Sequence, residues 1–121
     1  MYKVDLYPIV DKDGYSYQLS FIDNQGKNHE RSGKVTIQAT DNAKAIMAII
    51  SALKELKSRC KVVIHTERFY IVNAINEWLA KWQQDKFVNA KGEKIKNKEL
   101  WEEYILLALN HEIEVLKENG N

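Results

Sequence analysis

The run Cys60-Lys-Val-Val-Ile-His65 constrains this chain most, because of what stands on either side of it. Before it, Ile46, Ile49, Ile50, Leu53 and Leu56 recur at helical spacing up to about Lys57. After it, Ile71, Val72, Ile75, Trp78, Leu79 and Trp82 do the same within the stretch Thr66 to Trp82. Residues three and four apart share a helical face, so each stripe predicts an amphipathic helix. An apolar run entered from one helix and left into another reads as a buried strand in a sheet with helical crossovers. The polar pair Thr66-Glu67 stands where that strand gives way to the helix, a common place for an α/β fold to present a carboxylate.

The first third has another rhythm. Tyr2 to Val10 alternates as a strand, with Pro8 an awkward residue in it: either the strand ends near Tyr7 or its pairing is irregular there. Asp11-Lys-Asp-Gly14 is a tight turn. In the second strand, Tyr15 to Ile22, Tyr15, Tyr17, Leu19 and Phe21 share a face. Asp23 to Asn28 turns again, and His29 to Gln38 is a third strand with Gly33 as a bulge candidate. Thr40-Asp41-Asn42 offers helix-capping residues. Beyond Trp82, Ala90 to Glu93 reads as a loop, and Asn97 caps a helix reaching about Asn110. Its inner stripe is Leu100, Trp101, Tyr104, Leu107 and Ala108, and a last strand spans Glu112 to Leu116. The order βββ-α-β-α-α-β predicts an α/β fold with a mixed five-stranded sheet: three antiparallel hairpin strands, then two strands reached through helices.

Composition narrows the partners. Eighteen basic residues face seventeen acidic ones, so global charge does not argue for nucleic acid. At 121 residues with 45% apolar content, residues 1–121 form one expected domain with a real core. No signal peptide and no apolar run of membrane-spanning length is visible, so a cytoplasmic location is expected. The one cysteine, Cys60, lies in the apolar run and reads as a buried, inert thiol.

Five stretches in this order resemble type 1 ribonuclease H. They are Ala39-Thr-Asp-Asn-Ala-Lys-Ala-Ile-Met-Ala48, Thr66-Glu-Arg-Phe-Tyr-Ile71, Trp78 with Trp82, Lys94-Ile-Lys-Asn-Lys-Glu-Leu-Trp101 and Asn110-His-Glu-Ile113. The resemblance implies a ribonuclease H-like fold that lacks the family's final helix. It also implies a two-metal reaction on RNA–DNA hybrids, in which magnesium or manganese is held by converging carboxylates. The residues depart from that requirement. The first-strand carboxylate position falls on Ile9, the helix position on Ala45, and only Glu67 keeps a charge. Asp11 and Asp41 are the stand-ins that could join Glu67 in a rebuilt site; as plain structure they would be a turn residue and a helix cap.

Other features bear on binding. Thr40 and Asn42 match family positions that touch a nucleic-acid backbone at a helix N-terminus, though capping explains them equally. The stretch Lys81 to Lys98 carries six lysines against Asp85 and Glu93, a local +4, and matches the family's basic handle. Lys86, Lys91, Lys94 and Lys96 are its binding candidates, with a solvated loop as the plainer reading. Trp78, Trp82, Trp101 and Phe87 read as packed core, and His65 and His111 as hydrogen-bonded structural residues. Phe69 takes the place of a polar residue by the substrate groove. Ile105, Leu106 and Leu109 lie off the inner stripe, and an under-covered sheet face would add apolar surface for a partner. From Glu99 to Glu118, six glutamates face one lysine, a local −5. The expected function is a non-catalytic ribonuclease H-like module for protein assembly, as a homo-oligomer or with another protein, keeping residual nucleic-acid binding and needing no cofactor. The alternative is a divergent metal-dependent nuclease on RNA–DNA hybrids.

Overall fold

The computed structural model describes residues 1–119. Strands β1 (Tyr2–Val10), β2 (Gly14–Ile22) and β3 (Asn28–Thr36) form an antiparallel meander. Helix α1 (Asp41–Lys54) leads to β4 (Cys60–Thr66), parallel to β1. The next helix begins as α2 (Phe69–Asn73), widens into a π turn over Ala74–Trp78, and continues as α3 (Leu79–Gln84). Helix α4 (Lys98–Ala108) precedes β5 (Glu112–Lys117), which runs parallel to β4. The sheet order is β3-β2-β1-β4-β5, the mixed five-stranded architecture that the sequence predicts.

Local chemistry explains the hairpins. The Asp11 carboxylate accepts from the backbone N–H groups of Asp13 and Gly14, each at 2.8 Å, and so closes the first turn. Pro8 is tolerated inside β1. It pairs with Tyr17 of β2, while the ladder to β4 ends at Leu6. Pro8 therefore lies where β1 has become an edge toward β4, and a missing donor there costs no ladder bond. Gly33 is not a bulge: β2 and β3 pair without interruption from Gly14–Thr36 to Ile22–Asn28. The glycine makes room instead, since a Cβ there would sit 2.5 Å from the Tyr17 hydroxyl.

The core lies on one side of the sheet. Val4 and Leu6 of β1, Tyr15, Tyr17 and Leu19 of β2, and Val62 and Ile64 of β4 point toward α1, whose Ile46, Ile49 and Leu53 are fully buried. Each such aliphatic side chain contributes roughly 1.5–3 kcal/mol by leaving water. Successive strand residues alternate between faces. The opposite face therefore carries Lys3 and Asp5, Ser16, Gln18 and Ser20, Glu30, Ser32 and Lys34, Lys61, Glu112 and Glu114, together with Tyr7, Ile9, Ile22, Val63, His65 and Leu116. Among the described residues no helix covers it; it is mostly polar, but Tyr7, Ile9, Ile22 and Leu116 are exposed on it, so the apolar surface expected from the sequence is present in part. Its polar residues suit it to water. Exposed apolar side chains also occur toward the end of α4, where Leu106 and the capping Leu109 are 68% and 70% exposed.

Two helix termini differ from the sequence reading. The helix expected from Thr66 starts at Phe69, because Thr66 and Glu67 finish the strand and turn the chain; Thr66 Oγ1 accepts from the Arg68 N–H at 3.2 Å. The π turn then rotates the stripe, so Leu79 is buried while Trp78 is 37% exposed. Asn97 does precede α4, but its side chain makes no capping bond. It has a left-handed backbone, φ 66°, which asparagine tolerates well, and its Nδ2 donates to the Tyr70 hydroxyl at 3.3 Å. Trp101 Nε1 donates to the same oxygen at 3.0 Å, which ties α4 to α2. Trp101 is fully buried and Phe87 nearly so, as packed core requires.

Candidate functional site

Because β1 and β4 are parallel, their carboxyl ends open on one side, beside the N-terminal turns of α1 and α2. An open cleft of about 750 Å³ lies there. Tyr7, Ile9, Ala45 and Phe69 supply apolar wall, and Gln18, Asn42, Glu67 and Arg68 supply polar groups. This is the usual place for a ligand in an open α/β sheet. Phe69 is 68% exposed, the expected consequence of an apolar residue in a groove position. Lys117 Nζ stands 4.6 Å from its ring centroid.

Glu67 lines this cleft and is exposed, but Asp11 and Asp41 do not join it. Asp11 is held in its turn, and the two backbone donors there keep its carboxyl below the ordinary carboxylate range. Asp41 pairs with Arg68 at 3.7 Å. Magnesium needs several oxygen ligands at once. Among the described residues no group of three or more carboxylate, imidazole or thiol side chains could hold a metal ion. Ile9 and Ala45 take up the ground beside Glu67 with apolar groups, so these residues do not fit a two-metal centre.

A second cluster occupies the cleft floor. His65 Nε2 meets Asp5 Oδ1 at 2.8 Å, and His65 Nδ1 is hydrogen-bonded to Glu118 Oε1. The ring stacks on Tyr7 with centroids 4.5 Å apart. Each ring nitrogen thus faces a carboxyl oxygen, an arrangement that favours the imidazolium, which can donate from both. Burial pushes its pKa down, but the bonds to Asp5 and Glu118 outweigh that and hold it above 6.5. The bridge joins β1, β4 and the residue after β5, and Glu118 N–H extends it by donating to the Thr66 carbonyl at 2.7 Å. His111 is structural too: the Cys60 N–H donates to its Nδ1 at 3.1 Å. Burial and Arg59 lower its pKa. Cys60 is buried, and burial pushes its thiol up.

The binding candidates fall into two groups. Thr40 caps α1, its Oγ1 accepting from the Ala43 N–H at 3.1 Å, and Asn42 reaches the cleft. Lys94 forms an ion pair with Glu99, while Lys86, Lys91 and Lys96 are exposed and form none among the described residues. Two features were missed by sequence reasoning. The first is the Asp5–His65–Glu118 bridge, whose members signal themselves only once β1, β4 and β5 are placed side by side. The second is Lys44, which is 4% exposed. Its Nζ donates to the carbonyls of Asp11 at 2.8 Å and Lys12 at 3.4 Å, fastening the first hairpin to α1.

Comparison with known proteins agrees with the fold. The RNase H family model matches residues 12–119. A ribonuclease H of Caldicellulosiruptor saccharolyticus is 40% identical over 83 residues, covering 68% of this chain and 57% of that protein. One from Campylobacter concisus is 36% identical over 100 residues, covering 83% and 63%. The chain thus spans less than two thirds of the length of these relatives. Among solved structures, LC9-RNase H1, described as a type 1 RNase H with the type 2 active-site motif, superposes with a TM-score of 0.79 at 20% identity, over 99% of this chain and 65% of that one. A foamy viral protease–reverse transcriptase, solved in complex with an RNA/DNA hybrid, gives 0.65 at 20% identity, over 97% of this chain and 17% of that one. None of these comparisons supports a protein-assembly role.

Proposed function

This chain belongs to the RNase H family, and from that premise we propose that it engages RNA–DNA hybrids. The observation that carries the reading is the position of α1. Its 14 residues run from a capped N-terminus at the cleft, where the free amides of the first turn and Asn42 favour a phosphate. Lys86, Lys91 and Lys96 supply further phosphate contacts from the flank beyond α3. The protein solved with an RNA/DNA hybrid shares the fold, which supports the same class of ligand here.

Cleavage is the second reading, and the relatives' names favour it. The carboxylates argue the other way, since Glu67 stands without the company a two-metal reaction needs. A labelled hybrid separates these readings. It should bind, and its affinity should fall steeply as salt rises, with Lys91→Ala and Lys96→Ala weakening it and flattening the salt slope. It should stay intact with magnesium or manganese. Cleavage abolished by Glu67→Ala would establish the second reading, and no binding at low salt would remove the first.

A further inference from the structure

Beside the phosphate favoured at the α1 N-terminus, the cleft has room for a second part of a nucleic acid. Its walls are apolar at Tyr7, Ile9, Ala45 and Phe69, and its charged side chains include the exposed Glu67 carboxylate and, next to it, Arg68, whose guanidinium pairs with Asp41 at 3.7 Å. Apolar walls with a small number of placed polar groups are the usual make-up of a small-molecule pocket, and about 750 Å³ is ample for a nucleotide. Both nitrogens of His65 are already committed to Asp5 and Glu118, whereas the exposed Glu67 carboxylate in the cleft wall makes no hydrogen bond or ion pair among the described residues and is an anionic acceptor open to a ligand.

We propose that this cleft takes one unpaired guanine base, stacked on Phe69 and read by Glu67. The assignment rests on the hybrid-binding reading and names the part of a nucleic acid that enters the site. An exposed aromatic ring at a cleft rim is a stacking platform for any base. Lys117 sits over the Phe69 ring and draws on its π-electrons, which favours an electron-rich partner on the open face. An ionised carboxylate only accepts, and it accepts best in pairs. Guanine alone presents two adjacent donors on its pairing edge, the N1–H and the N2 amino group. Adenine and cytosine set one donor beside a bare ring nitrogen, and uracil flanks one donor with two carbonyls. The edge is available only when the base is unpaired, so the ligand is a single-stranded or bulged guanine nucleotide.

The test titrates the protein with GMP, AMP, CMP and UMP by amide NMR, with an intact hybrid duplex as a parallel arm. GMP should cause saturable shifts at Glu67, Phe69 and the Gln18 side-chain amide, at roughly tenfold lower concentration than the other three. Glu67→Gln should erase that preference, and Phe69→Ala should weaken all four nucleotides by roughly tenfold. Both residues are exposed, so neither variant threatens the fold. Equal binding of the four nucleotides, a preference that survives Glu67→Gln, or no saturable shift overturns the base pocket. Loss of the pocket with the duplex still bound leaves the hybrid-binding reading standing; a duplex that does not bind removes that reading as well.

Discussion

Replacing Gly33 with alanine should be costly out of proportion to one methyl group. Its backbone is ordinary extended strand, so conformation is not at issue. Space is: the new Cβ would lie 2.5 Å from the Tyr17 hydroxyl oxygen and within 2.7 Å of two ring carbons. Tyr17 cannot yield cheaply. Its ring is buried between β2 and α1, and its hydroxyl donates to Glu55 Oε2 at 2.8 Å. Burial and that carboxylate raise its pKa to about 12. Overpacking costs about 1–3 kcal/mol, and a hydrogen bond to a charged group is worth about 1.5–3 kcal/mol. Alanine gains back only about 0.5–1 kcal/mol of backbone entropy over glycine in a strand. The expected net loss is about 2–5 kcal/mol, read by urea unfolding at neutral pH. The same substitution in a Tyr17→Ala background should be neutral or slightly stabilising, because the obstacle has gone. A single variant within about 0.5 kcal/mol of the parent, or an equal loss in both backgrounds, would refute the steric argument.

Two histidines should tilt the pH dependence of stability in opposite directions. The folded pKa of His65 is raised, so its contribution is complete below 6.5 and is lost as pH climbs through the folded value. The folded pKa of His111 is lowered, so its contribution is complete above 6.5 and is lost as pH falls. Urea midpoints between about pH 5 and pH 8 should flatten on the alkaline side in His65→Gln and on the acid side in His111→Gln; unchanged slopes would refute the two bridges. Lys44→Ala should cost about 2–4 kcal/mol through its lost stem and ammonium, and Lys44→Met should recover part of that. Hydrogen exchange at the Asp11–Gly14 turn should quicken in both, and an unaffected turn would show that Lys44 does not hold it.

The fold was largely legible because its periods are unmixed. Ile46 to Leu56 reads only as a helix face, and Tyr15 to Phe21 only as a strand face. What the sequence hid depends on neighbours distant in the chain. Gly33 looked like a bulge because its real reason, the Tyr17 ring, lies on the next strand. Asn97 looked like a cap because asparagine serves both capping and left-handed backbone. Lys44 breaks the apolar face of α1, and no pattern announces that two carbonyls wait for it. At the site, Glu67 and the exposed Phe69 could be placed from the strand–helix join alone. The Asp5–His65–Glu118 bridge could not, since it needs the order β1-β4-β5 before its members become neighbours.

The sheet's bare face has a thermal consequence. Unfolding raises the heat capacity as apolar surface meets water and lowers it as polar surface does. Here only one side of the sheet is hidden, and the other already exposes its serines, lysines and glutamates. Each sheet residue therefore releases less apolar area than in a sheet covered on both sides. The heat-capacity increment should fall toward the low end of about 12–15 cal/mol/K per residue, giving a broad, shallow stability curve with only a gentle loss toward the cold.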